Sequence, residues 1–371
     1  MEAVYLEALE LASGLKATPA NVDRVAIKTS PIAAAWAFTQ WELRKRGAQK
    51  FALADQMLFD RPALEMATNE RLAAYHASCF PPDVLVVDMT VGIGADAIAL
   101  AKRGPLIGYE TNPGRAELAR WNLRVHGVDA DIWVDNALQS PPQDYWFADP
   151  ARRSGQERFT SIDDFEPNPK EIVDRLGHCR RGILKLSPMV PDAALMELGS
   201  RIEFVSFAGE CREALVMLGS DVDPGRFAYQ VELGERLQFT ESVAVKAAEP
   251  QTYLYEADPA AIRAHCLPNL CDFHGLQLLA DSNGYLTGNS PVRSPWLRGF
   301  KVELAGSFDL RSMKLELEKR QCGSPILKQR GSDLDLATVA KKLKGSGPKE
   351  VRIAFYRLGK SIRYCFIEPV D

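Results

Sequence analysis

The chain is 371 residues long, 46% hydrophobic and 25% charged, with a formal net charge of −4. That length exceeds one core of ordinary size, so two or three domains are expected, and the composition excludes a disordered chain. Overall charge does not announce a nucleic-acid binder, but residues 301–371 hold 15 Lys and Arg against 9 Asp and Glu, a local +6 that leaves −10 on residues 1–300. A basic end on an acidic body points to a polyanionic partner.

Residues 1–80 read as helical throughout. "SPIAAAWAFTQWELRKRG" has apolar residues at helical spacing, a Ser-Pro start and a Gly stop. "MEAVYLEALELASG" is acidic and amphipathic, without the basic-then-apolar pattern of a leader. No apolar run approaches the roughly 20 residues of a membrane span. Seven cysteines without a Cys-x-x-Cys suit a reducing compartment rather than a zinc ribbon. A soluble, cytoplasmic protein with no membrane or metal partner is expected.

From Pro81 strands and helices alternate. "VLVVDM" (84–89), "LIGYE" (106–110), "ADIWVD" (130–135), "YWFADP" (145–150) and "GILKLSP" (182–188) read as strands, with helices between them. "IEFVSFAG" (202–209) and "REALVMLG" (212–219) follow as two strands linked by Glu210 and Cys211 alone, which requires an antiparallel hairpin. The expected fold is a doubly wound α/β sheet, parallel and closed by one antiparallel hairpin. Beyond it, "RFAYQVEL" and "ESVAVKA" read as strands. "TYLYEADPAAIRAHCLPNLCDFHGLQLLADSNGYLTG" reads as strand, helix and strand, and 301–371 as a small α+β domain.

The most informative stretch is "VVDMTVGIGADAIALAKRG". Asp88 ends the first strand, Gly92 and Gly94 let the backbone turn sharply and approach a ligand, and Asp96 opens the helix. A Gly-x-Gly turn alone fits any nucleotide-binding crossover. The acid before it suits an ammonium group, with backbone N–H groups taking a carboxylate. Glu110 ends the second strand, where an acid accepts from ribose hydroxyls and disfavours a 2′-phosphate. Asp135 and Asn136 end the third, placed for an adenine edge, and Asp149-Pro150 ends the fourth. Four consecutive strands thus end in polar residues at the carboxyl edge, where open α/β sheets bind ligands.

On "DMTVGIGADAIALA", "YETNPGRAELARWNLRVHGV", "VDNAL" and "FADP", residues 81–222 resemble a class I S-adenosylmethionine-dependent methyltransferase with a Rossmann-like sheet. "ARWNLRVHGV" is similar to the RNA-modifying members, the trimethylguanosine synthase-like group included. The whole chain resembles a bacterial set of methyltransferases with a ferredoxin-like insert and a C-terminal THUMP-like domain. That resemblance implies an N-terminal helical region (1–80), a catalytic domain (81–222), a ferredoxin-like module (223–300) and a THUMP-like basic domain (301–371). It also implies S-adenosylmethionine held by Asp88, Thr90, Gly92, Gly94, Asp96, Glu110, Asn112, Asp135 and Asn136, and tRNA or rRNA as partner.

In amino-methylating relatives the acceptor motif reads Asn/Asp-Pro-Pro-aromatic. Here Asp149-Pro150 stands at the catalytic position, but Ala151 and Arg152 follow, so Trp146, Phe147 or Phe159 would have to supply the stacking ring. The 5-methyluridine enzymes also need a cysteine after the next strand, where this chain has "LKLSPMVP", which argues against covalent base activation. Arg152 and Arg153 suit phosphate or guanine, or else pair with Glu157, Asp163 and Asp164. Lys185 suits a phosphate or a desolvated base, or simply snorkels from a strand end. His76, His126, His178, His265 and His274 lack a carboxylate or cysteine at ligand spacing and read as core or surface residues. Lys341, Lys342, Lys344, Lys349, Arg352, Arg357, Lys360 and Arg363, with Phe355 and Tyr356, suggest a phosphate-tracking surface. An inactive RNA-binding scaffold, a methyltransferase of proteins or small molecules and, more distantly, an NAD oxidoreductase are the alternatives.

Overall fold

The computed structural model describes residues 2–152 and 161–370, with the backbone alone at position 152. Arg153, Glu157 and Phe159, singled out above, lie outside the described residues. The chain divides into two compact units, Met1–Arg201 with Leu215–Asp223, and Ile202–Ala214 with Pro224–Asp371.

The first unit opens with five helices: α1 (Ala3–Leu11), α2 (Pro19–Lys28), α3 (Pro31–Gly47), α4 (Arg61–Met66) and α5 (Glu70–Ser78). The Ser-Pro start behaves as the sequence predicts: Ser30 Oγ accepts from Ala33 N–H at 3.1 Å and Pro31 is the first helical residue. Ala8, Ala12, Ala33, Ala34, Ala37, Phe38 and Leu58 bury a shared core, against which Leu118 and Trp121 pack.

The α/β part follows: β1 (Val86–Asp88), α6 (Ala95–Arg103), β2 (Leu106–Tyr109), α7 (Pro113–Val125), β3 (Asp131–Trp133) and β4 (Tyr145–Ala148). A short pair, β5 (Ala151–Arg152) and β6 (Phe165–Glu166), precedes α8 (Pro169–Leu176), β7 (Arg181–Leu186) and α9 (Asp192–Leu198). Strands β1, β2, β3, β4 and β7 are mutually parallel in the order 3-2-1-4-7. Strand β8 (Arg201–Phe207) and strand β9 (Glu210–Leu218) form the hairpin, and β9, whose second half belongs to the first unit, lies beside β7. The hairpin turns two residues earlier than the sequence predicts. Ala208 (φ 54°) and Gly209 (φ 76°) are its two central residues, as a turn matched to strand twist requires. Helix α7 is stitched in place by the buried Asn122. Its Oδ1 accepts from Leu58 N–H at 2.8 Å and its Nδ2 donates to the carbonyls of Leu58 and Ile93.

In the second unit β10 (Gly225–Gln230) and β11 (Glu235–Gln238) pair antiparallel. Then come β12 (Lys246–Ala247), β13 (Tyr253–Ala257), α10 (Pro259–Arg263), α11 (Leu267–His274), β14 (Gln277–Leu279), β15 (Tyr285–Gly288), β16 (Leu297–Ser307), α12 (Leu310–Lys319), β17 (Ile326–Arg330), α13 (Leu336–Lys342), β18 (Arg352–Leu358) and β19 (Ser361–Pro369). Strands β12 to β19 form one eight-stranded sheet, ordered 12-14-15-13-16-19-18-17. Residue 300, the expected boundary, falls within β16, which pairs with β13 on one side and β19 on the other. "ESVAVKA" is irregular apart from β12, since Val243 and Val245 are exposed and have no apolar face to cover. The edge strand β17 was not foreseen, because "ILKQR" has no clean alternation. No helix among the described residues is long and apolar enough to cross a membrane.

Candidate active site

At the end of β1 the chain turns at Gly92 (φ 57°) and Gly94 (φ 91°), a backbone that residues with a Cβ rarely adopt. A Cβ on Gly92 would meet nothing within 4 Å, whereas one on Gly94 would sit 3.4 Å from the Ala119 backbone. Gly92 therefore faces open space at the turn, while at Gly94 the positive φ rather than crowding against α7 calls for glycine.

Asp88 is only 1% exposed. Its Oδ1 accepts from Thr90 N–H at 3.0 Å, and its Oδ2 is buried without a hydrogen-bond partner. Burial pushes its carboxyl well above the ordinary range, and the nearby Asp96, Asp149 and Glu110 push it further, against the Thr90 N–H. A buried acid among acids, with one oxygen unmet, is costly unless a donor or cation completes it.

The ends of β2 and β4 meet this turn. Glu110 Oε2 accepts from Gly92 N–H at 2.9 Å and its Oε1 from Asn112 N–H at 2.8 Å. Thr90 Oγ1 accepts from Asp149 N–H at 2.7 Å, so the ends of β1 and β4 are fastened together. Pro150 is buried. Asp135 and Asn136 are exposed; the Asp135 carboxylate Oδ1 accepts from Asn136 N–H at 2.7 Å and the Asn136 side-chain Oδ1 from Leu138 N–H at 3.0 Å. Asn112 caps α7, accepting from Arg115 N–H at 3.1 Å, which is a structural task for a residue expected at the cofactor.

Two expectations change at Asp96 and His76. Asp96 is buried, with its Oδ2 accepting from Thr68 Oγ1 at 2.6 Å and its Oδ1 from His76 Nδ1 at 2.7 Å. Both oxygens are thus engaged by residues before β1, not offered at the glycine turn. Burial would raise its carboxyl, but His76, Lys185 and the Thr68 hydroxyl together hold it below the ordinary carboxylate range. His76 is fully buried and does have a carboxylate partner, contrary to the sequence reading. The spacing of 20 residues, from α5 into α6, hides it from any local pattern. Its ring also stacks on Phe147 at 5.4 Å.

Lys185 does not snorkel. Its Nζ donates to Asp149 Oδ2 at 2.5 Å and to Thr68 Oγ1 at 3.0 Å, with its side chain 14% exposed against 31% for Asp149. Trp146 and Phe147 are both fully buried, so neither offers a face for a base, and Trp146 donates to the Leu176 carbonyl. Two cavities of about 450 and 460 Å³ lie against α5/α6 and α7/β3; His126 lines the first, and neither is lined by Asp88, Glu110, Asp149 or Lys185.

No family model matches the chain. An uncharacterized S-adenosylmethionine-dependent methyltransferase of Mycobacterium tuberculosis, found in strains CDC 1551 and H37Rv, is 28% identical over 338 residues, which cover 88% of this chain and 93% of the relative. A solved structure of a methyltransferase candidate from Porphyromonas gingivalis W83 superposes with a TM-score of 0.80 at 20% identity, covering 100% of this chain and 98% of that one. The chain thus carries the Rossmann-like class I methyltransferase fold, and its curated relatives along most of its length are S-adenosylmethionine-dependent methyltransferases.

Proposed function

We propose that the protein is an enzyme that transfers the methyl group of S-adenosylmethionine to a base of a structured RNA, tRNA or rRNA. The observation that carries the cofactor reading is the unmet Oδ2 of Asp88, at the end of the strand that leads into the open turn at Gly92. A cationic ligand satisfies both, since it brings a donor to the orphan oxygen and a counter-charge to Asp88, Asp149 and Glu110. S-adenosylmethionine supplies an ammonium, a sulfonium and an electrophilic methyl group. In this reading Asp88 takes the ammonium, the glycine turn cradles the amino-acid end, Glu110 accepts from the ribose, and Asp135 with Asn136 meets the adenine. Asp149-Pro150 orients the attacking nitrogen, and the protein's contribution is proximity and alignment.

RNA is favoured by the +6 on residues 301–371, read as a THUMP-like domain after a ferredoxin-like 223–300. The phosphate-tracking surface is narrower than the sequence predicts. Lys349, Arg352, Arg357 and Arg363 pair with Glu368, Glu350, Asp333 and Glu249, and Phe355 and Tyr356 are fully buried. Exposed Lys341, Lys342, Lys344 and Lys360 are the cations left for phosphate.

The test is calorimetric titration with S-adenosylmethionine, followed by methyl-label transfer to total RNA from cells lacking the protein. Asp88→Asn keeps an acceptor for Thr90 N–H and removes the charge. Binding should weaken about 100-fold or more. No binding by the intact protein would sink the reading. Binding with transfer only to protein or small molecules would replace RNA as the acceptor.

A further inference from the structure

We infer that Lys185, seated by Thr68, is a positioning residue that keeps the Asp149 carboxylate oriented and ionised at the acceptor position, so that Asp149 accepts a hydrogen bond from the attacking amine rather than its proton. This rests on the methyltransferase reading above.

The geometry is a continuous polar chain in the first unit. His76 on α5 donates to Asp96 on α6, and Thr68 donates to the other Asp96 oxygen. Lys185 on β7 donates to Thr68 and to Asp149 Oδ2. Asp149 is held again through its own N–H, which donates to Thr90. Among the described residues, the titratable groups gathered with Asp149 are Asp88 from β1, Asp96 from α6, Glu110 from the end of β2, His76 from α5 and Lys185 from β7. The Lys185 ammonium contacts Asp149 directly. Without Lys185 the cluster would ease its repulsion by protonating a carboxylate. An ammonium 2.5 Å from Asp149 stabilises the anion and so makes it a weak base. During transfer the nitrogen–methyl bond forms as the sulfur–methyl bond breaks, and the positive charge passes from sulfur to nitrogen. The nitrogen then loses its extra proton to solvent, leaving Asp149 ionised throughout. The segment before β1 gains a task in the same way: Thr68, between α4 and α5, seats the lysine.

The experiment compares Lys185→Met, Lys185→Arg, Thr68→Val and Thr68→Ser in the full-length protein. S-adenosylmethionine affinity should be no weaker in Lys185→Met. Its kcat on total RNA should fall about 100-fold at pH 7, with the acid limb of the pH profile moved upward by a unit or more, while KM for RNA changes little. Lys185→Arg should restore the limb. Thr68→Val should move it partway and Thr68→Ser should not move it. A uniform loss of kcat with an unmoved limb would overturn the inference and leave Lys185 a merely structural residue. An intact protein inert on RNA would be a failure of the RNA reading instead. In that case the ¹³C-carboxyl titration of Asp149, assigned with Asp149→Asn, decides: a higher midpoint in Lys185→Met upholds the inference, and equal midpoints overturn it.

Discussion

The carboxyl edge of the first unit's sheet and the basic residues of the second unit treat charge in opposite ways. At the sheet edge Asp88 and Asp96 are buried, Glu110, Asp149 and Lys185 are half-buried, and one oxygen, Asp88 Oδ2, is left unmet. Of the eight basic residues singled out for phosphate in the second unit, Lys341, Lys342, Lys344 and Lys360 are exposed, and the other four already have acid partners. Exposed pairs of that kind contribute about 0–1 kcal/mol each and tolerate change. A buried carboxyl oxygen left unmet among other acids costs more than that, and a donor that completes it offsets the cost. The difference makes the sheet edge a stronger pointer to a ligand than the density of lysines and arginines.

The largest way to break this comparison is at Asp96, the buried acid of the first unit whose oxygens are both met. Asp96→Ala removes the carboxylate that holds His76 and Thr68, and should cost about 3–5 kcal/mol in chemical denaturation. The sign with pH follows from the lowered carboxyl. Its contribution is present above the unfolded carboxylate range and is lost as pH falls through the folded value, so the variant should lose that part of the acid-induced destabilisation. An equal stability deficit at pH 3 and pH 7 would contradict it.

Glu203 on β8 is the opposite case in the second unit. Its side chain is fully buried, and its partner Arg236, at 2.9 Å, is 44% exposed. Burial outweighs Arg236 and raises the carboxyl to about 7. The folded chain therefore holds a proton that the unfolded chain releases near pH 4 to 5, so stability should fall as pH rises from there to about 7 and level off beyond. The window spans about 2–4 kcal/mol. Glu203→Gln should flatten it and raise the melting temperature at pH 8, and a melting curve with the same pH slope in both proteins would refute the assignment.

The smallest expected effect sharpens the contrast on the basic side. Replacing Lys341, Lys342, Lys344 and Lys360 together by Gln should weaken binding to bulk tRNA about tenfold at moderate salt and reduce the salt slope by about 3. Arg357→Ala, whose partner Asp333 is exposed, should change it far less. Equal effects of the two changes would mean that the ion-paired arginines contact RNA as well.

The sequence by itself determined the alternation of strands and helices, the closing hairpin, the glycine turn and the four polar strand ends. Each of these is local: apolar periodicity, a helix cap or an acid in register at the end of a run is written within a dozen residues. Only the tertiary structure decided what those polar groups touch. Thr68 and Lys185 are 117 residues apart in the chain, Lys185 and Asp149 36 apart, and His76 and Asp96 20 apart. No periodicity records such pairs, so Asp96 read as a cofactor residue and His76 as unpartnered. For the same reason the sequence reads Trp146 and Phe147 as candidate stacking rings and Phe355 and Tyr356 as part of a phosphate-tracking surface, although all four are fully buried. A residue's type shows that it has a flat face, but whether that face reaches solvent depends on what packs against it from elsewhere in the chain.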